Sequence, residues 1–301
     1  MKLRLNIVSR SSPLALKQVN IIKKKLSHHF DFNLIKMKTE ADKFINKPLH
    51  EIGGKGLFVK ELEQLLVNKK AAIAIHSLKD METELAKNTY ICAVAKRESK
   101  HDVLVSGYKN IASLPIKASI GTSSPRRKGF LKAFRPDLNI KQCRGNVETR
   151  LNKLKNGEFD GLILAEAGLK RLKIRYNNII SLDIIPPAAG QGVIAIQCHK
   201  DLEKQKVDKI FSLINDDKTF YEIQAERSLV KHLGGSCQSP ISSSADLDMS
   251  GNLILKGSIV NIDGTKILSD KEMGKKEDGE NIGKKLAKNL LSSGGNDILN
   301  F

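Results

Sequence analysis

Residues Ala118-Ser119-Ile120-Gly121-Thr122-Ser123-Ser124-Pro125-Arg126-Arg127 read as a short strand, a turn and the start of a helix. Pro125 suits the first helical position, where its missing N–H costs nothing, and the serine before it suits the N-cap. The same signals occur earlier in the chain. Leu3 to Ser9 alternates as a strand, Ser12 precedes Pro13, and Leu14, Val19, Ile22 and Leu26 keep near-helical spacing towards Phe30. Strand, Ser-Ser-Pro and helix, twice over, imply two similar α/β halves, each aiming a helix N-terminus at an anion.

The segments around these two stretches keep the alternation. In the first half, strands are expected at Phe32 to Lys38, Ala71 to Ile75 and Tyr90 to Ala95. A helix from Leu57 to about Val67 follows the turn Gly53-Gly54-Lys55-Gly56. In the second half, strands are expected at Val103 to Ser106, Ile140 to Gln142 and Gly161 to Ala165, with helices at Val147 to Asn156 and Glu166 to Leu172. Gly190-Gln191-Gly192 opens a strand to Cys198 that returns to the first half. Such alternation builds mainly parallel sheets, which bind ligands outside the carboxyl ends of their strands. Beyond two further helices, Lys200 to Ile214 and Thr219 to Leu233, the tail carries strands near Ile241 to Ser244, Leu253 to Val260 and Lys266 to Lys271. A last helix runs from about Glu280 to Leu291. The expected division is 1–98 with 189–214 as a first α/β domain, 99–188 as a second, and 215–301 as a small α+β domain.

The chain has 301 residues, a formal net charge of +18 and a pI of about 9.7. Most lysines read as solvated faces. The arginines are more informative, because Arg97, Arg126, Arg127, Arg135, Arg144, Arg150, Arg171 and Arg175 fall in one central segment and none follows Arg227. Planar guanidinium forks suit carboxylates or phosphates better than lysine does. A nucleic-acid binder would use the charge, but only 5% of the residues are aromatic and no binding motif appears. Cys92, Cys143, Cys198 and Cys237 show neither metal-ligand spacing nor a disulfide pattern, which fits a reducing cytoplasm. No apolar stretch is long enough to span a membrane, and the N-terminus reads as a strand, not a signal peptide.

Three places stand out chemically. Cys237 lies on a loop of small residues, Gly234-Gly235-Ser236-Cys237-Gln238-Ser239-Pro240, where a thiol has the access that covalent attachment needs. Cys92 and Cys198 sit in apolar runs and read as buried. Lys79-Asp80 follows a buried strand, so Asp80 fits a cleft-facing carboxylate as well as it fits a helix N-cap or a surface ion pair. His76, at the same strand end, reads as structural. Gly53-Gly54-Lys55-Gly56 lacks the spacing and the Ser/Thr of a phosphate-binding loop.

Taken together, these blocks resemble the porphobilinogen deaminase (hydroxymethylbilane synthase) family over nearly the whole chain. The matching stretches are Arg10 to Leu16 (RSSPLAL), Gly53 to Glu61 (GGKGLFVKE), His76 to Asp80 (HSLKD), Gly121 to Arg127 (GTSSPRR), Arg144 to Arg150 (RGNVETR), Ala167 to Leu172 (AGLKRL), Ala189 to Gly192 (AGQG) and Gly234 to Pro240 (GGSCQSP). The resemblance implies two periplasmic-binding-protein-like (type II) α/β domains plus a small C-terminal α+β domain. It also implies a dipyrromethane cofactor held through a thioether to Cys237, and the head-to-tail condensation of four porphobilinogen molecules with loss of ammonia. Water then releases hydroxymethylbilane, a precursor of haem.

By the same matching, Asp80 is the catalytic aspartate, an anion beside the cationic azafulvene left when ammonia departs. Arg10, Ser12, Lys55, Ser77, Lys79, Thr122, Ser123, Arg126, Arg127, Arg144, Arg150, Arg171 and Gln191 line the cofactor and substrate site, and Phe58 packs over a pyrrole. The pyrroles carry acetate and propionate groups, which accounts for the arginines and for the helix starts after Ser12 and Ser124. The family further implies a monomer, while the residues themselves point to a cytoplasmic protein with no metal, nucleic-acid or membrane partner. An alternative is a cytoplasmic two-lobed anion-binding module, which would not need Cys237. The chain departs from the family pattern at Glu82, where proline is usual and whose loss implies a less rigid loop after Asp80. It departs also at Glu40-Ala41-Asp42, at Glu51, and at Gln197, where glutamate is common.

Overall fold

The computed structural model describes residues 2–39, 56, 59–176, 178–236 and 238–299. Lys55, Phe58 and Cys237, with Glu40-Ala41-Asp42 and Glu51, lie outside the described residues. The chain divides into two compact units, Met1–Glu98 with Val193–Phe220, and Ser99–Gly192 with Tyr221–Phe301.

The first unit opens with β1 (Leu3–Arg10), α1 (Pro13–Leu26) and β2 (Phe30–Met37), followed by α2 (Lys60–Val67), β3 (Ile73–Ser77) and β4 (Thr89–Val94). After the second unit's central segment the chain returns with β10 (Ile194–His199) and α6 (Lys204–Ile214). The strand order is β2-β1-β3-β10-β4, with β1 parallel to β2 and β3, and β10 antiparallel to both its neighbours. Alternation along β1 sends Leu5 and Ile7 to one face and Val8 to the other. Leu5 and Ile7 pack with Val19, Ile22 and Leu26 of α1 and with Ile210 and Ile214 of α6. Val8 packs with Leu62 and Leu66 of α2. Helix α1 stops at Leu26, short of the expected Phe30, because Phe30 is needed in β2 opposite Leu3.

The second unit contains β5 (Asp102–Ser106), β6 (Ser119–Gly121), α3 (Pro125–Phe134), β7 (Asn139–Lys141), α4 (Val147–Lys155), β8 (Gly161–Ala165), α5 (Glu166–Leu172) and the two-residue β9 (Asn178–Ile179). Its order, β7-β6-β8-β5-β9, repeats the first pattern: three parallel strands, then a strand antiparallel to them. This is the arrangement expected of two type II periplasmic-binding-protein-like halves. Phe130 and Leu131 of α3 cover one face with Leu104, Ile120 and Ile163. Leu169 of α5 packs with Val103, Leu162 and Leu164 on the other.

The same unit holds the C-terminal sheet. Helix α7 (Asp217–His232) leads to β11 (Ile241–Leu247), β12 (Asn252–Val260) and β13 (Ile267–Lys275), an antiparallel meander covered by α8 (Gly279–Leu290). A short helix, α9 (Asn296–Leu299), follows. Buried Glu226 of α7 accepts from the backbone N–H groups of Gly190 at 2.8 Å and Ala245 at 3.0 Å, tying the Ala189-Gly190-Gln191 turn to this sheet. Gly192 has φ +85°, and a Cβ there would lie 2.2 Å from the Ser99 carbonyl oxygen. Only glycine lets these two segments pass so closely.

Candidate functional site

Because β1 and β3 run parallel, their carboxyl ends deliver Arg10 and Ser77 to the same edge of the sheet. One cavity in the first unit is lined there by Arg10, Ser12, Gln18, His76, Ser77 and Asp80, with Leu14, Ala15, Val59 and Ile75. Ser12 caps α1 by accepting from Ala15 N at 3.3 Å, with Pro13 at the first position, as the sequence leads one to expect. The cavity therefore has a helix N-terminus, a guanidinium and hydroxyls in its wall, a donor set that suits a carboxylate. Lys79 and Asp80 complete a single 3₁₀ turn, Leu78–Asp80, at the end of β3, and the next residue, Met81, is extended. Asp80 thus starts no helix, which removes the N-cap alternative.

Gln18, not foreseen from sequence, donates from Nε2 to Ser77 Oγ at 2.7 Å and fixes α1 against the end of β3. Its partner lies 59 residues away, so no local signal in the sequence marks it. His76 is 5% exposed. Burial pushes its pKa from 6.5 down to about 4; the neighbouring Gln197 side chain opposes the shift and the charge of Arg10 adds to it. The imidazole is neutral at pH 7, in keeping with a structural role.

This shift has a stability consequence. The unfolded chain takes up a proton on His76 near pH 6.5, while the folded chain resists until about pH 4. The contribution of His76 to stability is therefore full above pH 6.5 and is lost as the pH drops through this window, an effect of about 3 kcal/mol for this group. We predict that His76→Asn flattens the fall in melting temperature between pH 6.5 and 4. An unchanged pH dependence would show that His76 does not control it.

Two departures from the family pattern have defined surroundings. Gln197, fully buried, donates from Nε2 to Glu63 Oε1 at 2.7 Å and to Thr89 Oγ1 at 2.8 Å, so a glutamate there would face another carboxylate. Glu82 is buried and its Oε1 accepts from Gly56 N at 3.1 Å. Where proline would have stiffened the backbone after Asp80, Glu82 instead makes a side-chain contact to the Gly56 backbone.

The second unit places the other predicted residues it contains near the carboxyl ends of β6, β7 and β8. Thr122 is buried and its Oγ1 accepts from Ser124 N at 3.2 Å; Ser123 Oγ donates to Cys143 O at 2.8 Å. Ser124 caps α3, accepting from Arg127 N at 3.4 Å. Asn146 caps α4, and Arg150 Nε donates to Gly145 O at 2.8 Å. Arg144 is buried, and its desolvation lowers its pKa. Arg171 Nη2 donates to Gly192 O at 2.6 Å. Arg126 and Arg127 turn inwards onto Asp102, which also accepts from Gln191. Two capped helix starts, with Arg144, Arg150 and Arg171, supply donors of the kind that suits carboxylates, while the forks of Arg126 and Arg127 are taken up by Asp102 and backbone carbonyls. Cys92, Cys143 and Cys198 are buried and free, as expected for the first and last of them.

The comparisons with known proteins agree with this chemistry. A family described as "Porphobilinogen deaminase, dipyromethane cofactor binding domain" matches residues 5–207, and "Porphobilinogen deaminase, C-terminal domain" matches 220–292. A porphobilinogen deaminase of a Nitratiruptor species is 44% identical, covering 99% of this chain and 96% of its own. One from Buchnera aphidicola subsp. Acyrthosiphon pisum (strain Tuc7) is 43% identical, covering 98% and 95%. Among solved structures, lipoprotein Tp32 of Treponema pallidum is similar with a TM-score of 0.45 at 11% identity, over 70% of this chain and 90% of its own. The chain belongs to the porphobilinogen deaminase family.

Proposed function

We propose that the chain is a transferase that condenses four porphobilinogen molecules head to tail, releasing ammonia at each step, and then hydrolyses the product to hydroxymethylbilane. The observation that carries this reading is the placement of Asp80 at the end of β3, in one cavity with Arg10 and the Ser12-capped helix start, within a chain of this family. When bound, the dipyrromethane supplies the pyrrole carbon to which the first substrate is joined. The chain's own groups do the rest. Arg10, Ser12 and Ser77 hold ring carboxylates, and Asp80 presents an anion where positive charge develops as ammonia leaves. Lys79 and, in the second unit, Thr122, Ser123, Arg126, Arg127, Arg144, Arg150, Arg171 and Gln191 serve the carboxylates of the growing chain. Lys55 and Phe58 join the site by motif matching.

We assign the covalent attachment to Cys237 on its GGSCQSP stretch. The three sheets support a division into domains 1–98 with 189–214, 99–188 and 215–301. A cytoplasmic monomer without nucleic-acid or membrane partners fits the family; among the described residues no helix is long and apolar enough to cross a membrane. The test is to incubate the purified protein with porphobilinogen and follow ammonia and hydroxymethylbilane release. Four ammonia molecules per hydroxymethylbilane are expected. Tight anion binding with no ammonia release would favour the non-catalytic anion-binding module.

A further inference from the structure

Asp102 opens β5 and occupies the centre of three residues assigned above to ligand binding. Its Oδ2 accepts from Arg126 Nη2 at 2.9 Å, and its Oδ1 accepts from Arg127 Nη2 at 2.7 Å and from Gln191 Nε2 at 3.0 Å. The carboxylate is fully buried, and the two arginine side chains are 4% and 7% exposed. Other edges of the forks are held by carbonyls: Arg126 Nη1 donates to Pro186 O, and Arg127 Nη1 to Ile163 O at 3.0 Å. Each guanidinium plane is therefore fixed by a carboxylate on one side and the backbone on another.

The charges do not balance within this trio. Two adjacent cations lie in the first turn of α3, at the positive end of a helix, where cations are disfavoured. Burial pushes the Arg126 pKa down; Asp102 opposes this and neighbouring Arg127 adds to it. Replacing a buried ion cluster of this kind with well-packed apolar side chains is often neutral or stabilising, so fold stability alone is a weak reason for its presence. Two guanidinium groups on one carboxylate leave one net positive charge beside the carboxyl end of β6, among other groups suited to anions.

We propose that Asp102 is a positioning residue for ligand carboxylates: it fixes the planes of Arg126 and Arg127 and sets their joint charge to match one carboxylate of the pyrrole chain. The proposal rests on the reading that this unit binds those carboxylates. Without Asp102 the forks keep their charge and lose their common anchor. Affinity should then suffer more than the chemical step, because Asp80 is in the other unit.

The test compares Asp102→Asn and Asp102→Glu with the parent protein. The measurements are the fraction carrying covalent pyrroles by intact mass, KM and kcat for porphobilinogen, and melting temperature. For Asp102→Asn we expect a KM raised about tenfold, a loaded fraction at least ~twofold lower and a smaller change in kcat. Asp102→Glu keeps the charge a methylene out of place and should recover part of both. A purely structural role would lower the melting temperature and the active fraction and leave KM unchanged. Parental KM and loading in folded Asp102→Asn would overturn the proposal. If Asp102→Asn does not fold, Asp102→Glu decides: a raised KM supports the proposal and a parental KM overturns it. If neither folds, Asp102 is a folding residue and the proposal is overturned. Absence of pyrrole and turnover in the parent protein would instead overturn the functional reading, and this proposal with it.

Discussion

Asp80→Asn is expected to fold, to carry pyrroles on Cys237 and to release hydroxymethylbilane at least ~100-fold more slowly than the parent protein. The substitution keeps side-chain size and one acceptor oxygen and removes only the charge. Asparagine caps helices about as well as aspartate, so a capping residue would tolerate it. Asp80 caps nothing: it ends a 3₁₀ turn and is followed by extended Met81. It sits instead in a cavity wall with Arg10, Ser12 and Ser77. In the proposed reaction an anion held there would stabilise the positive charge that develops as ammonia leaves and would accept the pyrrole proton. Losing one preorganised electrostatic partner costs about 10²–10³ in rate, and lost proton transfer adds to that. Asp80→Glu should recover some activity. The check is the rate of product release in both variants, with melting curves to confirm folding. Near-parental turnover in Asp80→Asn would move the chemistry to another group.

Cys237→Ala is expected to lose all covalent pyrrole and reduce turnover to background, while the protein stays folded. The flanking loop has its own supports. Ser236 N donates to Ser239 Oγ at 2.9 Å, Gln238 N donates to Ser236 Oγ at 3.1 Å, and a Cβ on Gly235 would press to 2.4 Å from Ile241 Cδ1. None of these contacts uses the thiol, and a melting curve of the variant checks that the fold is kept. Intact mass before and after substitution gives the answer directly. A pyrrole-bearing, active Cys237→Ala protein would exclude this cysteine as the attachment point. Binding of Arg-directed anions, in contrast, should survive the change.

Much of this arrangement is legible from residue order. Proline after serine marks both helix starts, and both serines cap as the signal requires. Strand ends that carry Arg10 and Ser77 can be read from apolar alternation. What escapes is set by partners distant in sequence. Asp102 draws no notice because a strand is recognised by its apolar residues, and a charge at its first position carries no local signal. Its partners Arg126, Arg127 and Gln191 lie 24, 25 and 89 residues away. Helix α1 reads too long because Phe30 continues the apolar spacing, and only its pairing with Leu3 shows that it belongs to a strand. β9 has two residues, too few for any periodicity. Gln18 looks like an ordinary polar helix position until the end of β3 is placed beside it.

Strand β10 also bears on how the molecule is made. It lies between β3 and β4 in the first sheet, yet it is encoded after residue 193. A nascent chain that has emerged only as far as Gly192 holds β1, β2, β3 and β4 but nothing to join β4 to the others. The first sheet therefore cannot close until the whole segment Ser99–Gly192 has left the ribosome, and β4 waits with its edge unpaired. Such long-range strand pairing is slow to form and leaves the waiting edge open to aggregation. Fragments ending anywhere before His199 should be insoluble, however complete their remaining elements. The segment Ser99–Gly192, in contrast, already includes all five strands of its own sheet and can begin to order first.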